Sequence, residues 1–167
     1  MYDPAVDPQL RVIGTLGEGG TATVVRAYHA QLNRDVAVKY ERPQVSSQTT
    51  RFETLVRREY DLIGGYCFPG LVRLLLPPGA ANDHLILELC SGPTLAEVGL
   101  IENTSLALNV ISAVAADLEL LRAAGIVHGD LKPQNIFLPE KWDELKPGQL
   151  FFAKLSDLSL GRRLDEP

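Results

Sequence analysis

The feature that most constrains this chain is the loop at residues 128–135 (His-Gly-Asp-Leu-Lys-Pro-Gln-Asn), which leads into an apolar run. Asp130 can accept the proton of an attacking hydroxyl, and Lys132 can neutralise charge on a moving phosphoryl group. Asn135 offers a carbonyl oxygen to Mg²⁺. Each of these residue types is common in ordinary turns, so the prediction of phosphoryl transfer rests on the ordered set.

Size and composition predict a globular protein with one core or two small lobes. The chain has 167 residues, of which 46% are hydrophobic and 22% charged. Its net charge of −5 argues against nucleic-acid or anionic-membrane partners, because there is no basic stripe. Cys67 and Cys90 lack metal-ligand spacing. We expect a cytoplasmic protein, since the sequence shows no signal-peptide pattern and no apolar run that approaches a membrane span.

Five short β-branched or apolar runs predict five strands. They lie at residues 10–16, 23–28, 36–39, 71–76 and 84–89. Apolar residues near a 3.6-residue period predict one amphipathic helix over 50–63. Residues 90–93 (Cys-Ser-Gly-Pro) break the strand pattern, so we predict a small lobe over 1–89, a hinge at 90–93 and a second lobe over 94–167.

The second lobe is predicted to be mainly helical. Residues 105–121 are rich in Ala and Leu, and their apolar side chains fall on nearly every face of a helix, which therefore needs cover on more than one side. Gly125 ends this helix. Short strands are expected at 126–127 and 150–155, with an extra polar loop at 139–149 between them.

A glycine-rich turn joins the first two predicted strands. Gly17, Gly19 and Gly20 would let backbone N–H groups approach phosphate oxygens with no Cβ in the way. The spacing continues through Ala22 to Val24. This is not a dinucleotide-binding fingerprint, which would open a helix after a single strand.

Together these elements resemble the eukaryotic-like Ser/Thr protein kinase family. The loop at 128–135 is similar to the catalytic motif H-R-D-L-K-P-x-N, the hairpin to the glycine-rich loop, and the strand ending at Lys39 to V-A-I-K. Residues 68–72 look like the segment after the kinase C-helix, a register that makes Glu59 the partner of Lys39. Asp157 lies where D-F-G places its metal-binding Asp.

This resemblance spans residues 10–160 and implies an α+β, bilobal kinase-like fold. The N-lobe would be a five-stranded antiparallel sheet with one helix, and the C-lobe would be truncated and mainly helical. ATP and Mg²⁺ are the implied cofactors. We expect Glu59 to orient Lys39 rather than to stabilise the fold, because exposed ion pairs contribute little.

The resemblance implies a role for each matching residue. Asp130 would be the catalytic base, Lys132 would assist the transferred phosphoryl group, and Lys39 would hold the ATP phosphates with Glu59. The magnesium ligands would be Asn135 and Asp157. The residues expected to bind the nucleotide are the glycines Gly17, Gly19 and Gly20, the apolar contacts Val24, Ala37 and Phe137, the gatekeeper Leu87, the hinge residues Glu88 and Cys90, and Lys39.

Three departures separate this chain from that family pattern. Gly129 replaces the Arg that pairs with a phosphorylated activation loop, and Asp157-Leu158-Ser159 replaces D-F-G. The sequence also ends ten residues after Asp157, without an activation segment. We therefore expect a kinase that activation-loop phosphorylation does not control. The alternative is that the chain is a piece of a longer kinase.

Three functions are compatible with these residues. The leading one is phosphorylation of Ser/Thr hydroxyls of a protein substrate by a minimal kinase. The second is a small-molecule phosphotransferase of the aminoglycoside-kinase type, because the residues His128-Gly129-Asp130 match that family better than H-R-D does. The third is a nucleotide-binding pseudokinase scaffold. The apolar faces of the helix at 105–121 further predict a homo-oligomer or an obligate protein partner.

Overall fold

The computed structural model describes residues 3–5, 7–20, 22–41, 57–63, 68–77, 84–145, 149 and 151–165. Contacts within the chain divide it into two compact units. The first comprises Met1–Gly64 and Arg73–Leu89, and the second comprises Gly65–Val72 and Cys90–Pro167. The predicted lobes differ from these units at residues 68–72, which belong to the second unit.

The first unit is built on a five-stranded antiparallel sheet with the strand order β1-β2-β3-β5-β4. Its strands are β1 (Leu10–Glu18), β2 (Ala22–His29), β3 (Arg34–Glu41), β4 (Leu74–Leu76) and β5 (His84–Glu88). The predicted strand at 71–76 was too long, because Leu71 instead forms a parallel bridge with Leu155 within the second unit.

The two faces of this sheet carry different residues, because side chains alternate along each strand. One face packs a hydrophobic core of Leu10, Val25, Ala27, Val36, Val38 and Ile86. On β3, the residues that alternate with this core are Ala37 and Lys39. Lys39 pairs with Val24 and Leu85, and Ala37 pairs with Leu87. Directly paired residues share a face, so Lys39 lies on the opposite face from the core.

A helix that includes residues 57–63, here called α1, follows the sheet's third strand in the chain. Glu59, Leu62 and Ile63 are buried, whereas Arg57 is exposed. This spacing of three and four residues is the amphipathic pattern that the sequence predicted. The predicted residues 50–56 lie outside the described residues.

The described part of the second unit contains two α-helices and two pairs of very short strands. Its elements are α2 (Leu95–Val98), α3 (Thr104–Ala123), β6 (Ile126–Val127) paired with β9 (Arg162–Arg163), and β7 (Ile136–Phe137) paired with β8 (Lys154–Leu155). Thr94 begins α2 with a capping box to Glu97, and Asn103 caps α3 by accepting a hydrogen bond from the N–H of Leu106.

The structure corrects several predicted bounds here. The helix predicted over 105–121 is present and longer, whereas the strand predicted over 150–155 is reduced to Lys154–Leu155 among the described residues. The loop at 139–149 contains a 3₁₀ turn at Trp142–Glu144. Helix α2 and strand β9 were not predicted.

Helix α3 buries one side and exposes apolar residues on another. Its buried residues are Leu106, Val110, Val114, Asp117 and Leu121. Leu108, Ile111 and Leu120 are exposed. Among the described residues α3 is also long and apolar enough, by length and composition alone, to cross a membrane. The expectation that no run approaches that length was therefore wrong, although the core helix of a soluble protein passes the same test.

Asp117 is a carboxyl group buried on the packed side of α3. A side chain on Gly70 would overlap it, because a Cβ there would lie 1.8 Å from the Asp117 Cγ atom. None of the described residues donates a hydrogen bond to its Oδ2 atom. Burial raises the pKa of Asp117 to about 6, and the charge of Lys154 opposes that rise. Gly70 is thus required here for space, and the fold holds a carboxyl group that is costly to ionise.

Candidate active site

The first unit holds a buried ion pair between β3 and α1. Lys39 Nζ donates a hydrogen bond to Glu59 Oε2 at 2.8 Å, and the two side chains are only 11% and 3% exposed. The predicted pairing is present, but the expectation that it contributes little to stability was wrong in its premise. A buried charge that loses its partner is strongly destabilising.

The same face of the sheet presents apolar residues beside Lys39. Val24 pairs directly with Lys39, and Ala37 pairs with Leu87. Ala37 and Leu87 are buried, and Val24 is half-buried. Apolar side chains next to an ammonium group suit a ligand that joins an aromatic ring to phosphates.

The turn between β1 and β2 does not need its glycines for its own geometry. The Gly19 N–H donates to the Ala22 carbonyl at 2.8 Å, which closes the turn. Cβ atoms added at Gly17 and Gly20 would meet nothing within 4 Å, and at Gly19 only the Ala22 carbonyl oxygen at 3.5 Å. The protein itself therefore leaves these positions open, as an approaching ligand would require.

In the second unit, the loop between β6 and β7 brings together two predicted catalytic side chains and one predicted magnesium ligand. Lys132 Nζ donates to Asp130 Oδ2 at 2.6 Å. Asn135 Nδ2 donates both to the Asp130 carbonyl at 2.8 Å and to its Oδ2 at 3.1 Å. Asn135 is buried, whereas the Asp130 side chain is 24% exposed. The carboxylate is thus held from two sides and still reaches solvent.

Gly129 is required by the backbone of this loop. Its φ is +81°, and an added Cβ would lie 2.2 Å from the carbonyl oxygen of Leu160. The adjacent His128 is buried, and its Nδ1 accepts a hydrogen bond from the Asp130 N–H at 3.3 Å. Gly129 therefore has a local reason in this fold, because no side chain fits between residue 129 and Leu160.

Asp157 lies at the end of the segment that pairs with the catalytic loop. Strands β7 and β8 pair Ile136 with Leu155, and the Ser156 N–H donates to the Asn135 carbonyl at 2.9 Å. Asp157 has a φ of +66°, a left-handed conformation that Asp tolerates better than most residues. Its Oδ1 accepts a hydrogen bond from the Ser159 hydroxyl at 2.6 Å.

The predicted magnesium ligands fit a magnesium ion by their chemistry. The carbonyl oxygen and Oδ2 of Asp130 both accept hydrogen bonds, so the atom of Asn135 that faces them must be the amide nitrogen. The side-chain oxygen Oδ1 of Asn135 therefore remains as a ligand atom. Asp157 supplies a carboxylate. In the described part of the chain no group of three or more His, Cys, Asp or Glu residues could hold a metal. Two oxygen ligands suit Mg²⁺, which is usually shared with substrate phosphates.

The remaining predicted nucleotide residues lie at the ends of short elements. Glu88 ends β5, where its N–H donates to the Arg73 carbonyl at 2.9 Å and its Oε1 accepts from the Arg73 N–H at 2.7 Å. Cys90 is half-buried. Phe137 is half-buried in β7 and forms an isolated bridge with Thr94.

Sequence reasoning missed two contacts at this site. It recorded Ser159 only as a departure from a family motif, although a hydroxyl two residues after an Asp is a common local hydrogen-bond donor to that side chain. It also missed the approach of Leu160 to Gly129, for which the sequence offers no signal, because it depends on how the two segments pack.

The profile of the protein kinase domain matches residues 10–167. Serine/threonine-protein kinase pkn2 of Myxococcus xanthus is 31% identical over 138 residues, which are 80% of this chain and 16% of that protein. PknL, a serine/threonine-protein kinase of Mycobacterium tuberculosis, is 30% identical over 163 residues, or 94% of this chain and 38% of that protein. The mouse inhibitor of nuclear factor kappa-B kinase subunit epsilon is 33% identical over 168 residues, which are 90% of this chain and 21% of that protein.

A five-stranded antiparallel sheet with a buried Lys–Glu pair, together with a loop that groups an Asp, a Lys and an Asn, defines a phosphotransferase fold of the kinase type. The chain belongs to the protein kinase family. It spans 16% of the length of the Myxococcus relative and 38% of the length of PknL.

Proposed function

We propose that this chain transfers the terminal phosphoryl group of ATP to Ser/Thr hydroxyls of a protein. The observation that carries the proposal is the arrangement of Asp130, Lys132 and Asn135, in which one carboxylate is fixed by two nitrogen donors and remains partly exposed. The names of several relatives, which describe serine/threonine-protein kinases, support the choice of acceptor.

Each residue has a proposed role that its chemistry supports. Asp130 orients the acceptor hydroxyl and takes its proton, while Lys132 stabilises negative charge on the transferred group. Lys39, held by Glu59, binds ATP phosphates. Asn135 and Asp157 would hold Mg²⁺, which neutralises phosphate charge when bound. The proposed nucleotide contacts of the first unit are Gly17, Gly19, Gly20, Val24, Ala37, Leu87 and Glu88, and those of the second are Cys90 and Phe137.

The direct test is transfer of radiolabelled phosphate from ATP to casein and histone by the wild type and by Asp130→Ala. Loss of the general base is expected to lower the rate by about 10²–10⁴-fold. Asp143→Ala is the matched control, because Asp143 is an exposed carboxylate in the same unit. Equal transfer by the wild type and Asp130→Ala would contradict the proposal. The pseudokinase scaffold would then be the remaining hypothesis.

A parallel assay with an aminoglycoside acceptor separates the second candidate function. The reaction would use the same base and the same magnesium ligands, so only the acceptor distinguishes the two enzymes. Gly129 is the observation that favours this alternative, and Lys132 with Pro133 favours a protein acceptor. Transfer to the aminoglycoside without transfer to protein would move the proposal to the small-molecule class.

We further propose that activation-loop phosphorylation does not control this enzyme. Gly129 supports this, because it replaces the Arg that would pair with a phosphorylated loop, and its backbone has no room for a side chain. Protein treated with a phosphatase is therefore expected to keep its full activity. A loss of activity that returns after phosphorylation would refute the proposal.

The exposed apolar residues of α3 support an oligomer or an obligate protein partner. Leu108, Ile111 and Leu120 are 57%, 62% and 46% exposed on one helix. Light scattering of the purified chain tests this proposal directly. A monomer at high concentration that binds no partner would contradict it.

A further inference from the structure

We propose that Ser159 is a positioning residue that orients the carboxylate of Asp157 for its cation. This inference rests on the proposed function, in which Asp157 binds Mg²⁺. It goes beyond that function, because the family motif has a glycine at this position, which has no hydroxyl to donate.

The contact is short and has a clear direction. The Ser159 hydroxyl lies 2.6 Å from Asp157 Oδ1, and the Ser159 N–H lies 3.4 Å from the same oxygen. An ionised carboxylate only accepts hydrogen bonds, so the hydroxyl must be the donor. Hydrogen bonds between a hydroxyl and a charged oxygen are about twice as strong as neutral ones. The side-chain contact is therefore the stronger of the two.

The backbone at Asp157 explains why the carboxylate needs such support. Its φ of +66° places the residue in the left-handed region, away from any regular strand or helix. Strand β8 ends two residues earlier, at Leu155. The Ser159 hydroxyl holds one oxygen of this carboxylate and so limits the rotation of the side chain before a cation binds.

A hydrogen-bond partner of a metal-binding carboxylate has a measurable effect on metal affinity. Removing such a partner typically lowers affinity by 10–100-fold. Ser159 would act through only one of the ligands of the cation, so we expect a loss of metal affinity at the lower end of this range, about tenfold. The effect should appear in binding of the metal–nucleotide complex and not in the fold itself.

Ser156 provides a matched control in the same segment. Its hydroxyl lies 3.5 Å from the Asn135 carbonyl, and its N–H donates to that carbonyl at 2.9 Å. Alanine at 156 keeps the backbone hydrogen bond and leaves the Ser159 hydroxyl in place. Ser156→Ala thus removes a hydroxyl adjacent to Asp157 without removing the donor to its carboxylate.

The experiment measures binding of a non-hydrolysable ATP analogue by calorimetry over a series of Mg²⁺ concentrations. Ser159→Ala and Ser159→Gly are each expected to need about tenfold more Mg²⁺ for half-maximal binding. Ser159→Thr, which keeps a hydroxyl, and Ser156→Ala are expected to stay within about twofold of wild type. Binding of the analogue in EDTA is expected to be equal in all the variants, and thermal unfolding checks that each one folds.

The outcomes separate this inference from the proposed function. Equal Mg²⁺ dependence in wild type and both hydroxyl-free variants would overturn the role of Ser159 and leave the kinase proposal intact. A threonine variant as impaired as alanine would also overturn it, because the effect would then be steric. Wild type that binds the analogue without any Mg²⁺ dependence would overturn both.

Discussion

The two units each contain a lysine paired with a carboxylate, and the two pairs differ in burial rather than in geometry. Lys39 and Glu59 are 2.8 Å apart with side chains 11% and 3% exposed. Lys132 and Asp130 are 2.6 Å apart with side chains 45% and 24% exposed. A short distance alone therefore does not define what an ion pair does in this protein.

The difference in burial predicts that the Lys39–Glu59 pair matters more to the stability of the fold than the Lys132–Asp130 pair does. Water screens the exposed pair, so its two members can separate at little cost when a substrate arrives. Removing one partner of a buried ion pair is strongly destabilising, because the remaining charge is poorly solvated. The following predictions test this distinction, in order of decreasing effect on stability.

The largest effect is expected from Lys39→Met, which leaves the Glu59 carboxylate buried without its cation. The free energy of unfolding should fall by about 3–5 kcal/mol. Urea denaturation followed by circular dichroism measures it. A fall of less than about 1 kcal/mol, the range of exposed pairs, would show that burial does not distinguish the two pairs.

The second prediction removes both members of the buried pair at once. Lys39→Met combined with Glu59→Leu is expected to recover most of the stability that Lys39→Met loses, because no unpaired charge remains. Phosphoryl transfer should be absent in both the single and the double variant, since each lacks the ammonium group of Lys39. The same denaturation experiment and the radiolabel assay measure the two results, and a double variant as unstable as the single one would contradict the argument.

A second buried carboxylate, Asp117, extends the comparison through its pH dependence. Its pKa of about 6 in the fold lies above the ordinary value of 3.8, so the folded protein holds this proton more tightly than the unfolded chain does. The stability that Asp117 contributes is full below about pH 4 and is lost as the pH rises through 6. Asp117→Asn should therefore stabilise the protein by about 2 kcal/mol at pH 7.5 and little at pH 4.

Fluorescence of Trp142, the single tryptophan, follows this unfolding within the second unit. Glu119→Gln is the control with the opposite sign, because its hydrogen bond to Arg122 lowers the pKa of an exposed carboxyl group. Its removal should slightly reduce stability at neutral pH and not at low pH. An Asp117→Asn variant that gains equally at both pH values would contradict the burial of an ionised group.

The smallest effect on stability is expected from Lys132→Met. The free energy of unfolding should change by less than about 1 kcal/mol, because this ion pair is exposed. Activity should nevertheless fall by about 10²-fold, since the charge of Lys132 would act on the transferred group. Denaturation and the radiolabel assay are compared on one preparation. Unchanged activity would show that Lys132 has no role in phosphoryl transfer.

Local sequence patterns predicted most of the first unit. Runs of β-branched and apolar residues placed β1, β2 and β3 within two residues of their ends, because such residues favour strands. The two-residue strands β8 and β9 were harder, since such short segments become strands only by pairing with distant partners. The sequence also placed Glu59 among arginines on a helix, and only the packing of α1 shows that it is buried.

The close approach of Leu160 to Gly129 has a consequence for how this protein could change. A single substitution that installs arginine at 129 would combine a strained left-handed backbone with a collision between the new Cβ atom and the main chain of Leu160. The neighbouring segment would have to be rebuilt in the same step. Arginine at position 129 is thus accessible to this protein only through a concerted rearrangement of both segments, and a point mutation cannot supply it.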